Sequence, residues 1–340
     1  MKYLIQQEEQ YCYPSDNTSC LREIRAPVVN LILYFLSAVV VMVAVFGNLV
    51  VIISFSHFKQ LHTPSNLLVL SLAVADLLIG IFCMPLMLIK LIDKCWYFGD
   101  MLCFIYSLMN LLLTSVSISN LVFIAIDRYV AICDPLLYST KITIHVTQMF
   151  IATSWILSML YTWMITYFKG VYFNFETTQF CLGVCELGYN VTWGFIDLLV
   201  SFILPCSVLA TLYTKVFIVA KRHVRIINSV TQNRNTGKNQ SNISKQSERK
   251  AAKTLGIVVA VFLLCWIPYY LCIIIDSYTN SSTPIVAFHI STCLVFFNSG
   301  LNPVIYALFY PWFQKSVRLI VSLKICSPAS SLINLLPEKH

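Results

Sequence analysis

Seven separate stretches of this chain are each long and apolar enough to cross a lipid bilayer, and that pattern restricts the fold more than anything else in the sequence. About 20 apolar residues are needed, because roughly 30 Å of hydrocarbon is crossed at about 1.5 Å per residue. The stretches lie at about Val28–Phe55, Pro64–Ile92, Met101–Val130, Val146–Tyr167, Trp193–Ala220, Ala252–Ile275 and Pro284–Phe309. They are numbered span 1 to span 7 in chain order. Lipid offers no partner to a backbone N–H or C=O, so each must be a helix that satisfies its own backbone. A soluble domain carries about 25% charged residues, whereas this chain is 11% charged and 58% hydrophobic. Its 340 residues would suit two soluble domains by length alone, but the apolar runs leave no room for a second one. The expected architecture is an all-α membrane protein, a seven-transmembrane helix bundle with a short amphipathic eighth helix at Pro311–Leu323. That last stretch sets Lys315 and Arg318 against Trp312, Phe313 and Val317, the composition of a helix lying on the membrane surface.

The loops orient the bundle and divide the chain into an N-terminus (1–27), the membrane domain (28–309) and the amphipathic helix with its tail (310–340). Between Ala220 and Lys253 basic residues predominate, from Lys221 and Arg222 to Arg249 and Lys250, with Glu248 the one acid. Such a loop stays in the cytoplasm, which puts the N-terminus outside. Arg22 and Arg25 ahead of span 1 argue the other way, but the larger loop outweighs them. The same clustering explains the net charge of +8 without nucleic acid. Met1–Gln10 is polar and lacks a basic stretch followed by an apolar core, so no cleavable signal is expected and span 1 serves as its own insertion signal. Asn17, Asn190 and Asn280 begin N-x-S/T patterns on the outer side, and Asn17 is the expected glycosylation site. Asn239 and Asn242 begin such patterns in the basic loop and should stay unmodified. Of thirteen cysteines most lie within apolar runs as small hydrophobes. Cys12, Cys20, Cys181, Cys185 and Cys103 fall on the outer side and suit an oxidising compartment, and no spacing reads as a zinc site.

Charge inside lipid is costly and marks functional positions by default. Asp76 interrupts span 2, Asp197 interrupts span 5, and Asp127 and Arg128 sit near the inner end of span 3. Asp76 has Asn48, Ser117, Asn298 and Asn302 at similar depth, an oxygen-rich set that suits either a hydrogen-bonded interhelical network or a small hard cation. Asp197 lies about eight residues before Pro205, ~10 Å below the outer surface. A lone acid there, reached by water from outside, suits a cationic ligand better than it suits a merely structural bond. Trp266, Tyr269 and Tyr270 flank Pro268 on span 6, and Phe296 and Phe297 lie on span 7. Aromatic faces stabilise ammonium groups by ~0.5–2 kcal/mol each. Pro85, Pro205, Pro268 and Pro303 each remove a helical hydrogen bond and permit a kink.

These residues fall into an ordered set: Gly47-Asn48, Leu72-Ala73-Val74-Ala75-Asp76, Asp127-Arg128-Tyr129, Trp155, Pro205 with Tyr213, Cys265-Trp266-Ile267-Pro268 and Asn302-Pro303-Val304-Ile305-Tyr306. Together they resemble the signature of rhodopsin-like G-protein-coupled receptors, and the resemblance covers essentially the whole chain. The stretch Asn298–Phe313, with His57–Pro64 and Cys95-Trp96-Tyr97-Phe98-Gly99, is similar to trace amine-associated receptors in particular.

The resemblance implies a multi-pass plasma-membrane receptor, not an enzyme. It would be an olfactory receptor for volatile or water-borne mono-, di- or polyamines that couples to a stimulatory heterotrimeric G protein and raises cyclic AMP. Its partners would be a small amine, the G protein and membrane lipid, with no nucleic acid. Its ligand pocket would comprise Asp197, Asn110, Thr114, Trp266, Tyr269, Tyr270, Thr292 and Phe296. Asp76, Ser117, Asn298 and Asn302 resemble a sodium site, which would make an allosteric sodium ion the one cofactor. Asp127, Arg128, Tyr129, Glu248, Tyr213 and Tyr306 resemble the G-protein switch, with Arg128 held by Asp127 and Glu248. Trp266, Phe262, Ile118 and Pro205 resemble the packing cluster that relays changes from the pocket. The resemblance also implies a Cys103–Cys185 disulfide, and a second one joining Cys181 to either Cys12 or Cys20.

One departure stands out. Amine receptors usually hold the ammonium with an aspartate eighteen residues before the switch arginine, and that position here is Asn110. The acid stands instead on span 5, as Asp197, an exchange that a branch of fish members of the family shares. The implied reading keeps amine recognition with its anchor moved across the pocket. The alternative is a receptor of the same fold for a neutral or peptide-like ligand. A proton-coupled carrier using Asp76 and Asp197 fits less well, since no inverted repeat is visible. A visual pigment is excluded because span 7 has no lysine for a Schiff base and Phe296 lies where one would stand. Asp276, near the outer end of span 6, reads as a solvated loop residue rather than as the partner of a second ammonium. Cys326 is open to palmitoylation or stays a free thiol.

Overall fold

A computed structural model describes residues 11–13, 18–22, 26–168, 181–185, 191–231, 240–278, 284–327 and 330–335. Of these, only the backbone is described at 168, 191–193, 220–221, 223–231, 240–255, 277–278, 285–286, 311 and 332. Seven helices among them are long and apolar enough to span a membrane: Pro27–His57, Pro64–Asp93, Gly99–Cys133, Ile144–Tyr167, Gly194–Val219, Gly256–Asp276 and Ala287–Phe309. Every expected span is present and the chain is a multi-pass helix bundle. The helix carrying span 5 runs on to Thr231, and the one carrying span 6 starts at Gln240, so both extend well beyond the apolar stretches. Periodicity of apolar residues cannot mark such ends, because these extensions are polar and basic. The outer surface is a band of exposed aliphatic and aromatic side chains, such as Leu31, Phe35, Ile156, Leu160, Phe217 and Leu264, which suits lipid.

Spans 2 and 5 are not plain α-helices. Five-residue π turns occupy Ile79–Cys83 and Leu199–Ile203, just before Pro85 and Pro205. Proline lacks an N–H and its ring crowds the carbonyl four residues earlier, so a widened turn relieves both problems at once. Pro268 and Pro303 sit inside helices that remain α-helical.

Apolar contact alone does not drive helices together in lipid, so polar links and close backbone approach set their positions. Asp76, fully buried on span 2, accepts from the Ser117 hydroxyl of span 3 at 3.1 Å and from the Asn302 amide of span 7 at 2.8 Å. Asn48 on span 1 donates to the backbone carbonyls of Ala44 at 2.8 Å and of Ser299 at 3.1 Å. Trp155 on span 4 donates to Ser71 on span 2 at 3.2 Å. Where Asn48 ties span 1 to span 7, a Cβ on Gly47 would lie 2.5 Å from Pro303 Cβ, so this crossing needs a glycine.

We call the end of the bundle that carries the N-terminal segment upper. Three disulfides hold it: Cys12–Cys95, Cys20–Cys181 and Cys103–Cys185. Of the two open partners for Cys181, Cys20 is the one bonded. Cys95 corrects the sequence reading, which placed five cysteines outside and left Cys95 among the rest. It closes the first outer loop onto Cys12, and the odd total of five was the signal that a sixth was missing. Backbone bonds stitch the same segments, with Cys20 N–H donating to the Leu182 carbonyl at 2.9 Å and Trp96 N–H to that of Gly183 at 2.8 Å. Gly183 adopts φ 102°, and a Cβ there would come within 2.9 Å of Cys12 Cβ. Asn17, Asn190 and Asn280 lie outside the described residues.

At the lower end the surface helix spans Pro311–Val321, and its Trp312 and Phe313 are buried against Phe58 and Leu61. The tail then folds back, which the sequence did not announce. Leu335 is buried in the same cluster, its N–H donates to Gln60 Oε1 at 3.1 Å, and His57 Nε2 lies 2.9 Å from Ser330 Oγ. Cys326 is exposed and unbonded.

The span 1–span 7 crossing is testable. Gly47→Ala is expected to destabilise the protein by about 1–3 kcal/mol through overpacking. Gly300→Ala, whose Cβ would meet its nearest neighbour at 3.6 Å, should be tolerated. Melting temperatures of the two purified variants in detergent check this, and equal values would refute the close-packing argument.

Candidate functional site

All eight residues expected to line a ligand pocket border one cavity of about 690 Å³ in the upper half of the bundle. Its size lies in the range of small-molecule sites, ~300–1,000 Å³. Spans 2 to 7 supply walls and Gly183–Cys185 contributes from the second outer loop. The Cys103–Cys185 bond therefore fixes part of the cavity lining to the head of span 3.

Asp197 is partly buried on span 5, and its Oδ1 accepts from the Tyr161 hydroxyl of span 4 at 2.6 Å and from the Ser201 hydroxyl at 3.0 Å. No donor from a described residue reaches Oδ2. One oxygen is thus oriented by hydroxyls while the carboxylate borders the cavity. Ser201 belongs to the π turn ahead of Pro205. The extra residue in that turn rotates the helix above it by about 100°. Eight residues separate Asp197 from Pro205. On an unbroken helix the two would face directions roughly 80° apart, and the π turn brings them within roughly 20°. Neither Tyr161 nor Ser201 carried a sequence signal.

Opposite polar and aromatic groups complete the wall. Trp266 stacks on Tyr270 at 5.8 Å, Tyr270 on Phe202 at 4.7 Å, and Tyr269 lies 6.0 Å from Phe288. Asn110 Oδ1 and Trp266 Nε1 are buried without a protein hydrogen-bond partner. Buried polar atoms are nearly always satisfied, so these two are positions for a ligand or water. Lys90, Lys94, His289 and Asp276 also line this cavity. Asp276 is exposed near the end of a helix, not in a loop, and borders the cavity, which corrects its reading as a solvated loop residue.

Below the cavity a second space of about 10 Å³ is bordered by Ser117, Asn298 and Ser299 together with Thr114, Trp266 and Phe296. That is room for about one water-sized particle. Asp76, Ser117 and Asn302 are joined by the hydrogen bonds given above, and Asn298 is buried nearby. Asp76 and Asn302 do not border this space themselves, and Ser117, which does, bonds the Asp76 carboxylate, so the oxygen donors a small hard cation needs lie beside it rather than around it. Trp266 also touches Phe262 at 5.8 Å, and both pack with Ile118 in the central apolar core.

At the lower end Arg128 Nε donates to Asp127 Oδ2 at 2.8 Å, and the ion pair closes to 2.5 Å. Ser65 and Tyr138 each donate to Asp127 at 2.8 Å, and Arg128 also bonds Ser65. These two hydroxyls were not foreseen: Ser65 opens span 2, and Tyr138 lies on the short helix Pro135–Lys141. Burial pushes the Tyr138 phenol above its usual range, the Ser65 bond opposes this and the charge of Asp127 adds to it. The phenol therefore remains a donor at neutral pH. The Glu248 side chain lies outside the described residues. Tyr129 has Lys215 Nζ 5.9 Å from its ring centroid. Tyr213 buries its hydroxyl without a partner, and Tyr306 is buried beside Tyr310 at 5.7 Å.

Comparison with known proteins agrees with this anatomy. The model of the 7 transmembrane receptor (rhodopsin family) matches residues 47–306. Trace amine-associated receptor 13c of Danio rerio is 46% identical over 329 residues, covering 96% of this chain and 96% of its own. Trace amine-associated receptor 7e of Rattus norvegicus is 41% identical over 333 residues, covering 97% of this chain and 93% of its own. Trace amine-associated receptor 8b of Mus musculus is 40% identical over 336 residues, covering 97% of each. The chain belongs to the rhodopsin family of seven-transmembrane receptors, in its trace amine-associated branch, and is a receptor rather than an enzyme.

Proposed function

We propose that this chain is an olfactory receptor at the plasma membrane, upper end outside, that binds small amines and raises cyclic AMP through a stimulatory G protein. The observation that carries the reading is Asp197: an oriented carboxylate bordering a ligand-sized cavity whose wall includes Trp266, Tyr269 and Tyr270. Alkyl amines resemble lysine, with a pKa of about 10, and arrive charged. The ammonium would pair with Asp197, Asn110 and Thr114 would offer polar contacts, and Thr292 and Phe296 would border the ligand. The names of the relatives support amines as the ligand class. At the lower end, Arg128 would leave Asp127, Ser65 and Tyr138 to meet the G protein, with Tyr213 and Tyr306 as further members of the switch. Trp266, Phe262 and Ile118 supply contiguous packing between the two ends. The competing reading, a neutral or peptide-like ligand, draws on Asn110 and on the hydroxyls that already serve Asp197.

Replacing Asp197 by Asn should weaken the amine response by at least about thirtyfold, since losing one partner of a desolvated charge pair costs ~2–5 kcal/mol. Cyclic AMP dose–response curves at matched surface expression measure this. An undiminished response would sink the anchor, and a response to uncharged odorants alone would favour the competing reading.

A sodium ion beside Asp76, Ser117, Asn298 and Asn302 is a second part of the proposal. Sodium chloride, compared with choline chloride at equal ionic strength, should raise the melting temperature of the detergent-solubilised protein by mass action. Asp76→Asn should remove that difference, and equal melting of the wild type in both salts would count against the ion.

A further inference from the structure

Past the surface helix the chain reverses, and the reversal is held from both sides. Leu323 follows the helix end with φ 54°, in the left-handed region where a helix end usually has glycine. A larger residue keeps that conformation only where the surroundings fix it. Residues 330–335 supply such contacts. Leu335 is buried in one apolar cluster with Phe58, Leu61, Tyr306, Trp312 and Phe313. Gln60 grips the backbone beside it: Oε1 accepts from the Leu335 N–H at 3.1 Å, and Nε2 donates to the Ile333 carbonyl at 3.4 Å. A side-chain amide carries both a donor and an acceptor, so it can pair with a passing backbone. Lys315 of the surface helix donates to the Asn334 carbonyl. Ser330 is 1% exposed, and the carbonyls of Ile325 at 2.6 Å and Ser327 at 2.7 Å compete for its one proton. Its oxygen is left to accept from His57 Nε2 at 2.9 Å. Polar clamps on span 1, the first lower loop and the surface helix thus flank one buried leucine.

This seat is joined to the Asp127–Arg128 pair. Gln60 and Leu61 belong to the 3-10 turn Lys59–Leu61, and the Leu61 carbonyl accepts from Asn66 Nδ2 at 3.0 Å. The Asn66 N–H donates at 3.3 Å to the hydroxyl of Thr63, which caps span 2. Ser65 lies in that first turn, donates to Asp127 at 2.8 Å and bonds Arg128. The seat of the tail and a partner of Arg128 are therefore parts of one hydrogen-bonded loop, and Tyr306 lies in the cluster that buries Leu335. A segment that binds one arrangement better than another shifts the equilibrium toward it. We infer that residues 330–335 form an autoinhibitory strap. Seated, the strap steadies Ser65 at the Asp127–Arg128 pair and restrains ligand-independent coupling to the G protein; lifted, it releases that restraint. This holds whichever ligand the upper cavity takes.

The test is ligand-free nucleotide exchange on a panel of purified heterotrimeric G proteins, catalysed by equal amounts of full-length receptor in lipid nanodiscs. Leu335→Asp should raise the rate at least about fivefold on the G protein that responds, the lower end of ordinary coupling between sites. Leu335→Met should keep the wild-type rate, which controls for handling and folding. Removal of residues 328–340 should act as Leu335→Asp does. A synthetic peptide of residues 328–340, added at ~1 mM to match the effective concentration of a tethered segment, should then restore the lower rate. The same peptide carrying Leu335→Asp should not. Amide hydrogen exchange over residues 58–66 should quicken in Leu335→Asp, which reports release of the seat without any G protein. Rates unchanged by Leu335→Asp on every G protein, whether or not the loop exchanges faster, would overturn the inference. So would a rise after truncation that the peptide fails to reverse. A rise confined to a G protein of another type would uphold the strap and bring down the stimulatory coupling proposed above.

Discussion

The carboxylate of Asp76 is the interaction on which the rest of the bundle depends. Lipid tails are as apolar as leucine, so burial of aliphatic surface does not hold these helices together as it would in water. A fully buried acid in that setting must find partners, and it finds them on two other helices, Ser117 of span 3 and Asn302 of span 7. Asn48 then ties span 1 to span 7 through the Ser299 carbonyl, beside the place where Gly47 lets Pro303 approach. Depth and rotation of four helices are thereby set relative to one another. The small space beside Ser117 and Asn298 lies directly under Trp266, so the polar centre and the ligand cavity share a wall.

The two ends are built by different chemistry. Three disulfides and a few backbone bonds hold the upper end, where loops would otherwise have little to pack against. The lower end is held by charge and hydroxyls around Asp127 and Arg128, and by aromatic packing of Trp312 and Phe313 against the first lower loop. Covalent links resist rearrangement, while an ion pair with hydroxyl partners exchanges them at low cost. That contrast suits a cavity of defined shape above a surface that changes its contacts. Between the two ends runs the core that contains Ile118, Phe262 and Trp266, close-packed and therefore able to transmit displacement.

Some of the site was legible because the residues announce themselves. An aspartate inside an apolar run has a short list of explanations, so Asp76, Asp197 and Asp127 could each be singled out. Their partners could not: Tyr161, Ser201, Ser65 and Tyr138 are ordinary residues until folding brings their hydroxyls within reach. Lys90 and Lys94 look like snorkelling lysines at a helix end, and only the disulfide-bound loop above them turns that end into part of a cavity. Cys95 was hidden by position, lying beside an apolar run where a free thiol is common.

What the sequence determined by itself is the number of spans, their order and the depth of the charged residues, because hydrocarbon imposes a length and a polarity that composition must meet. What only the tertiary structure decided is direction. The π turn before Pro205 rotates Asp197 relative to the helix below it, the pairing of Cys12 with Cys95 sets the rim, and the tail returns to bury Leu335. None of these can be read along the chain, since each depends on which distant groups compete for the same donor, sulfur or apolar surface once the helices have met.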